Sequence, residues 1–298
     1  MITREQLIPQ CEKALEFAGD QVRALITAQP NIYPEFTVNG KWLPNVTPWT
    51  SWCEGFLPGQ MWILYAHTGD PFWREKAEAY SRPLEPRKKD RNVHDLGFLF
   101  WSTYKRWFDV TGDDGLNAVL IEAGKTMSLR FNEKGKFLRS FLAEDSLFID
   151  IMMNIGIIFY AAQQLGDQSM WEIANQHCLT TRKVLVRGDG STSHEGIFDL
   201  NTGEFLRQTT QQGWRNDSSW ARGAAWALYG FGTAYQFTKD ARFLQTARMI
   251  ADYYIETTPD HGVPPNDWDE KNPSCPYESS AAAIAASGML NLAKLVQD

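Results

Sequence analysis

Two aspartates in this sequence stand at the beginnings of predicted apolar helices, and an Asp within Leu-Phe-Ile-Asp-Ile-Met-Met is costly to bury without a purpose. Asp95 lies in the segment His-Asp-Leu-Gly-Phe, and Asp150 lies in Leu-Phe-Ile-Asp-Ile-Met-Met. Two carboxyl groups in different protonation states can do acid–base chemistry, because one delivers a proton while the other stabilises developing positive charge. Each aspartate also has a structural interpretation, since an Asp at the start of a helix can cap it or satisfy a core polar group.

An arginine and two tryptophans could complete a site for an anionic ligand. Arg222 lies in the small, apolar segment between Trp220 and Trp226. A buried Arg needs an anion, which is either the carboxylate of a ligand or a core acid in a structural salt bridge. The tryptophans could flank a sugar, but residues six apart lie on different sides of a helix, so at least one could be plain core. Asn154, one turn after Asp150, could orient that carboxyl group.

Motifs for other chemistries are missing from the sequence. The histidines show no HExxH or comparable ligand spacing, so no metal site is expected. There is no GxxxxGK[ST] loop, which argues against nucleotide use. The four cysteines are scattered and form no CxxC pair, which suits a reduced cytoplasm.

Charge and hydropathy exclude several kinds of partner. The chain has 298 residues, of which 43% are hydrophobic, and a net charge of −7. Nucleic acid and anionic membrane surfaces are therefore not expected as partners, although a local Arg can still bind an anionic substrate. The N-terminus has no apolar secretion-signal region and no stretch is long enough to span a membrane, so a cytoplasmic location is expected.

A short turn recurs along the chain and predicts joints between paired helices. It occurs as Thr68-Gly69-Asp70, Thr111-Gly112-Asp113, Leu165-Gly166-Asp167 and Thr238-Lys239-Asp240. Gly suits the left-handed position that ends a helix, and Asp suits the cap that begins the next. Each turn is therefore predicted to join two helices of an αα-hairpin.

The predicted helices before and after each joint differ in character. Those before a joint are apolar nearly all round, and those after it are amphipathic, which predicts an inner ring wrapped by an outer ring. The predicted fold is an all-α (α/α)6 barrel or toroid that forms a single domain over residues 1–298. Ten helices are predicted, so the last hairpin of a closed six-hairpin toroid is expected to be missing; the toroid is open or the chain is a fragment. Residues 188–214 are predicted to form a β-hairpin that turns at Asn201-Thr202-Gly203.

Five segments together resemble glycoside hydrolase family 88, the unsaturated glucuronyl hydrolases. They are His-Asp-Leu-Gly-Phe from His94, Ile-Asp-x-x-x-Asn from Ile149, Gln-Gly…Asp-x-Ser-x-Trp-x-Arg-Gly-x-Ala-Trp from Gln212, Val186–Ser191 followed by His194, and Gly-Phe-x-x-Gly-x-x-Trp from Gly55. They occur in the family's order with approximately its spacing, from about Trp52 to Leu292.

The resemblance implies an (α/α)6 barrel enzyme that needs no metal or organic cofactor. Its substrate would be a small oligosaccharide produced by a polysaccharide lyase. The enzyme would release the Δ4,5-unsaturated uronic acid from the non-reducing end by hydrating the C4=C5 vinyl ether. A monomer or homodimer is expected.

The resemblance also implies roles for individual residues. Asp150 would be the general acid and then the base, and Asp95 the ionised partner. A helix N-terminus would lower the pKa of Asp150, while burial and the charge of Asp95 would raise it, and the acid role requires the raising effects to prevail. His94 would bind a sugar hydroxyl or tune Asp95. The residues expected to contact the sugar are His194, Gln212, Arg222, Trp220 and Trp226.

Two positions depart from the family pattern. Phe141 stands where a sugar-stacking Trp is expected. Cys53 stands where Thr is common after the aromatic residue, which is Trp52 or its alternative Trp49. Two other functions remain open, which are an unsaturated rhamnogalacturonyl hydrolase of the family 105 type and a non-catalytic carbohydrate-binding toroid.

Overall fold

Helices make up most of the described chain, which comprises residues 4–44, 51–272 and 274–296 of a computed structural model. Contacts divide the chain into two units, one formed by Met1–Lys89 with Phe98–Leu120 and the other by Asp90–Gly97 with Ile121–Asp298. The single domain over residues 1–298 therefore remains a prediction. No helix of the described ranges is long and apolar enough to cross a membrane.

The first unit contains helices and one β-hairpin. Its α-helices are α1 (Arg4–Ala28), α2 (Phe56–Thr68), α3 (Pro71–Ser81) and α5 (Tyr104–Thr111). Strands β1 (Pro34–Val38) and β2 (Lys41–Pro44) pair antiparallel, and 3₁₀ helices span Trp52–Gly55 and Arg82–Lys89. The hairpin was not predicted. The core of this unit is aromatic: Trp62 stacks on Trp107 with ring centroids 5.5 Å apart and donates its indole N–H to Ser81.

The second unit combines helices with short strands. Its helices are α7 (Ile151–Asn154), α8 (Gly156–Leu165), α9 (Gln168–Leu185), α10 (Ala221–Thr238), α11 (Ala241–Thr257) and α12 (Ser279–Leu295). Its strands are β3 (Phe131–Asn132), β4 (Phe137–Leu138), β5 (Ser146–Phe148), β6 (Glu195–Phe198) and β7 (Phe205–Thr209). Helices α4 (Leu96–Phe100) and α6 (Asp114–Ser128) have residues in both units.

The recurring turns are helix joints, as predicted. The residue that ends each preceding helix is left-handed, with φ between 57° and 69°, at Gly69, Gly112, Gly166 and Lys239. The aspartate that follows accepts a backbone N–H of the next helix in every case. Lys239 shows that a side chain is tolerated at this position, although Gly adopts it without steric cost.

Two of the predicted inner helices are each interrupted in the structure. The helix expected over 95–110 is broken into α4 and α5, and the one expected over 147–164 into α7 and α8. Leu147 and Phe148 were assigned to that second helix, which is wrong. They form strand β5 because their backbone pairs with β6, so tertiary hydrogen bonding overrides the local apolar pattern.

Helix α10 forms the centre of the second unit. Its small residues are buried on nearly every side, and it packs against α7, α11 and α12. The closest approach is at Gly230, where an added Cβ would lie 2.3 Å from the carbonyl oxygen of Met152 in α7. Helix α12 resembles α10 in composition but buries only one face. Leu290, on the other face of α12, is 64% exposed.

Substitution of two glycines of α10 should separate packing from helix propensity. Ala at either position favours a helix by up to about 1 kcal/mol over Gly. Gly230→Ala should nevertheless destabilise the protein by about 1–3 kcal/mol, because Met152 must move. Gly232→Ala is the matched control, since its Cβ would meet only the Asn291 amide at 3.7 Å. Urea unfolding measures both, and equal stability of the two variants would contradict this packing.

A buried histidine joins α9 to β4. His177 is fully buried, and its Nδ1 accepts the backbone N–H of Leu138 (3.1 Å). Burial, and then the charge of His94, lowers the pKa of His177 from 6.5 to about 3. Between pH 6.5 and about 3, His177 is therefore protonated in the unfolded chain but neutral in the folded chain. The free energy of unfolding falls as the pH drops below 6.5.

Removal of this histidine should flatten the pH dependence of stability. His177→Asn keeps an acceptor for Leu138 but cannot titrate. The unfolding free energy of the wild type should decrease with falling pH by about 1.4 kcal/mol per unit more than that of His177→Asn. His261→Asn, at an exposed histidine, is the control and should behave like the wild type. Parallel curves for the wild type and His177→Asn would show that His177 titrates normally in the fold.

Candidate active site

A three-stranded sheet places Asp150 next to His194. The predicted hairpin in 188–214 is present as β6 and β7, with Gly203 left-handed (φ 80°) at its turn. Strand β5 adds to its other edge, pairing Phe148 with Glu195, and the Ile149 N–H donates to the His194 carbonyl (2.9 Å). This third strand was not predicted. Asp150 lies where β5 ends and α7 begins.

The ring of His194 faces the carboxylate of Asp150. The His194 side chain is fully buried, and its Nε2 lies 3.4 Å from Asp150 Oδ2. Its Nδ1 lies 3.0 Å from the backbone nitrogen of Gln211. A backbone N–H can only donate, so Nδ1 is the acceptor and the proton of the neutral ring is on Nε2, directed at Asp150.

His94 and Asp95 repeat this arrangement. The backbone N–H of Phe141 donates to His94 Nδ1 (3.0 Å), and His94 Nε2 lies 3.3 Å from Asp95 Oδ1. Both side chains are buried. Burial lowers the pKa of His94 despite the opposing charges of Asp95 and Asp150, so the ring is neutral at pH 7 with its proton on Nε2.

The two histidine–aspartate pairs belong to one site. The ring of Phe148 lies between the imidazoles, with its centroid 5.7 Å from that of His94 and 4.5 Å from that of His194. At Gly97, two residues after Asp95, an added Cβ would lie 2.6 Å from Asn154 Cα. The two turns that follow the aspartates are therefore in direct backbone contact, and only Gly permits that approach.

Asp150 is ionised in the protein by itself. Burial raises its pKa, but the electrostatic interactions with His194, His94 and Arg222 outweigh burial, so the net shift is downward. The expectation that the raising effects prevail is therefore wrong. The 3.4 Å contact to His194 is long, and Oδ2 is a buried acceptor without a hydrogen-bond partner among the described residues. Asp150 makes no side-chain cap on α7, so simple capping does not explain its position.

Arg222 is held by a salt bridge and an amide. Its Nη1 donates to Glu278 Oε2 (2.6 Å) and its Nη2 donates to Gln212 Oε1 (2.9 Å). The amide nitrogen of Gln212 lies 3.4 Å from His194 Nε2. The salt-bridge alternative for Arg222 is thus observed, yet the same group is one of the charges that act on Asp150. Glu278 was missed because an acid just before a helix normally indicates only favourable interaction with the helix dipole.

The predicted aromatic residues have different environments. Trp220 is buried, its ring lies 4.9 Å from that of His194, and the Arg222 guanidinium lies 4.4 Å over it. Trp226 is also buried. Phe141 is partly exposed, with its ring 5.4 Å from that of His94.

The remaining predicted positions contribute less directly. Trp52 lies in the first unit, where its ring packs on Phe56 and Phe98 at 5.8 and 5.2 Å. Trp49 lies outside the described residues. Asn154 donates to the backbone carbonyl of Asp150 (3.2 Å).

Two buried carboxylates that carried no sequence signal support the site. Glu195 accepts the hydroxyl of Ser146 (2.5 Å) and the side-chain amide of Gln211 (2.9 Å), the residue whose N–H sets the His194 tautomer. Asp267 is fully buried and accepts the N–H of Trp214 and the hydroxyl of Ser218. It thereby braces the loop before α10. The described residues contain no group of three or more His, Cys, Asp or Glu that could hold a metal ion.

Comparison with known proteins relates this site to one family. The model of Glycosyl Hydrolase Family 88 matches residues 28–260. An unsaturated glucuronyl hydrolase of Formosa agariphila is 33% identical over 82% of this chain and 64% of its own length. An unsaturated glucuronyl hydrolase of Bacillus sp. strain GL1 is 31% identical over 84% of this chain and 69% of its own. An unsaturated chondroitin disaccharide hydrolase of Streptococcus pneumoniae is 29% identical over 82% and 64%.

Solved structures agree with this relationship. An unsaturated glucuronyl hydrolase specific for heparin matches with a TM-score of 0.88 and 32% identity, over 96% of this chain and 79% of that one. The Bacillus sp. GL1 enzyme matches with a TM-score of 0.85 and 30% identity, over 93% and 76%. These matches confirm the predicted (α/α)-barrel fold class. The chain spans about two thirds of the length of the related proteins, and it belongs to glycoside hydrolase family 88.

Proposed function

We propose that this chain is a glycoside hydrolase that releases Δ4,5-unsaturated uronic acid from the non-reducing end of lyase-generated oligosaccharides. The observation that carries this proposal is a pair of aspartates, Asp95 buried and Asp150 partly exposed, each faced by a histidine Nε2–H. The Oδ2 atom of Asp150 is itself buried and has only the long 3.4 Å contact with His194 among the described residues. A buried acceptor without a partner is costly, so it suits a group that exchanges a proton with a ligand. Named relatives act on unsaturated glucuronyl and chondroitin oligosaccharides.

The reaction is hydration of the C4=C5 vinyl ether. Asp150 delivers its proton to C4, and the electron pair of the double bond forms the new C4–H bond. Positive charge then develops at C5 and the ring oxygen, where the Asp95 carboxylate stabilises it. Water adds to C5 and returns a proton to Asp150, which now acts as base. The hemiketal formed at C5 opens to a C5 ketone and leaves a hemiacetal at C1. The hemiacetal collapses to an aldehyde as the bond from C1 to the glycosidic oxygen breaks, and the second sugar leaves as an alcohol.

Binding of an anionic substrate would raise the pKa of Asp150, as its role as an acid requires. Arg222 is among the charges that lower the pKa of Asp150. A uronate carboxylate bound at Arg222 cancels part of that positive charge, and its own negative charge favours the protonated form of Asp150. Substrate binding is therefore coupled to uptake of a proton at the catalytic acid. Gln212 lies between Arg222 and His194, where it can bind the same sugar.

The four free cysteines among the described residues support the further proposal of a cytoplasmic location. Reduced thiols persist in a reducing compartment. The monomer or homodimer expected from the sequence stays a prediction.

Turnover of unsaturated disaccharides tests the proposed reaction. Disaccharides derived from chondroitin, heparin, gellan and pectin should be compared, and loss of the ultraviolet absorbance of the C4=C5 bond measures hydrolysis. In heavy water the product should carry one deuterium at C4. Asp150→Asn should reduce kcat by about 10²–10⁴-fold without unfolding, because it removes general acid–base catalysis.

Three outcomes separate this function from others. Asp145→Asn, a matched change five residues away, should retain turnover. Turnover of only the pectin-derived sugar would indicate a rhamnogalacturonyl hydrolase. Binding with no loss of absorbance would indicate a carbohydrate-binding protein, and product without deuterium at C4 would exclude hydration.

Arg222 should recognise the carboxylate of the sugar. Arg222→Ala should raise KM for the unsaturated disaccharide about 10–100-fold, as expected for loss of a charge-assisted hydrogen bond. The methyl ester of the same disaccharide should lose much less. Arg182→Ala is the control, because this half-buried guanidinium binds Thr246 instead. Equal losses for acid and ester would assign Arg222 a structural role through Glu278.

A further inference from the structure

A buried arginine with no role in the reaction described above lies beside the His94–Asp95 pair. Arg130 is only 4% exposed. Its guanidinium donates to three backbone carbonyls, through Nη1 to Arg91 (2.6 Å), through Nε to Arg139 (2.9 Å) and through Nη2 to Ser140. These three acceptors are neutral. A buried Arg is normally paired with an anion, so a buried guanidinium held by three backbone carbonyls calls for an explanation.

The three carbonyls belong to the two segments that build the His94 site. Arg91 lies three residues before His94, in the segment that also carries Asp95. Ser140 directly precedes Phe141, whose N–H donates to His94 Nδ1. The guanidinium therefore joins the segment that supplies the imidazole and carboxylate to the segment that determines the imidazole tautomer.

The charge of Arg130 also acts on both members of the pair. Burial, then Arg139, lowers the pKa of Arg130 to about 10, while Asp95 and Asp90 raise it, so the group is charged at neutral pH. Because electrostatic coupling is reciprocal, Arg130 favours the ionised form of Asp95.

The same charge lowers the pKa of His94. The other charged or titratable groups coupled to His94 are Asp95, Asp150, His194 and His177. A neutral His94 keeps its single proton on Nε2, where it faces Asp95.

We propose that Arg130 is a positioning residue for the hydration reaction, whose buried charge keeps Asp95 ionised and His94 neutral while its guanidinium holds their two segments together. The charge acts on the reaction through the pair, because the guanidinium itself is bound to backbone carbonyls. This inference rests on the proposed function for its kinetic test but not for its spectroscopic one.

Three variants distinguish the effect of the charge of Arg130 from the effect of its hydrogen bonds. Arg130→Gln removes the charge and keeps an amide that can donate to a carbonyl. Its kcat/KM for the unsaturated disaccharide should fall at least about tenfold, and the acid limb of the pH profile should move up by about one unit. The reason is that both Asp95 and His94 then accept protons at higher pH. Arg130→Lys keeps the charge and should retain the wild-type acid limb. Arg139→Gln, at a neighbouring half-exposed guanidinium paired with Glu144, should match the wild type.

An NMR titration of labelled histidine provides a readout without substrate. The midpoint for His94, assigned with His94→Gln, should rise in Arg130→Gln and stay unchanged in Arg130→Lys. A folded Arg130→Gln protein with the wild-type acid limb and His94 midpoint would overturn the proposal. If Arg130→Gln does not fold, Arg130→Lys decides. A wild-type pH profile with kcat/KM within about tenfold supports the role of charge, and a loss of about a hundredfold or more overturns it.

The two proposals fail in different ways. If the wild type turns over none of the disaccharides, the proposed function is wrong, and the His94 titration still tests Arg130. If the wild type is active and the variants show no shift in either readout, only the role of Arg130 is wrong.

Discussion

The candidate site depends on one hydrogen bond that is made twice, from a backbone N–H to the Nδ1 of a buried histidine. Phe141 makes it to His94 and Gln211 makes it to His194. An imidazole that accepts at Nδ1 must carry its proton at Nε2 while it is neutral, and a second proton would turn that acceptor into a clashing donor. The main chain thus determines which nitrogen of each neutral imidazole faces its aspartate.

The elements around the site contact the segments that orient the two histidines. Strand β5 ends at the residue before Ile149, whose N–H binds the His194 carbonyl, so sheet register places Asp150 beside the imidazole. Glu195 holds the side chain of Gln211, and Arg130 holds the carbonyl next to Phe141. Among the described residues, Asp150 Oδ2 is a buried acceptor without a hydrogen bond, and Asp150 has the proposed role in proton transfer.

Electrostatics determines the protonation state of Asp150. In the protein by itself, histidines and Arg222 keep Asp150 ionised in spite of its burial. A bound uronate is the natural means of reversing that balance, because it brings a negative charge to Arg222. The acid would then be protonated only when its substrate is present, which follows from the chemistry of a charged sugar rather than from burial alone.

The sequence by itself determined the helical plan and the motifs that make up the candidate site. Joints such as Thr111-Gly112-Asp113 are local, since a left-handed residue and a cap need only their neighbours, and the segments containing Asp95, Asp150 and Arg222 were recognisable as motifs. Tertiary structure alone decided the pairing of β5 with β6, the histidine tautomers and the partners Glu278 and Arg130. These depend on contacts between distant residues, and the lowered pKa of Asp150 is a sum of charges whose distances exist only in the folded chain.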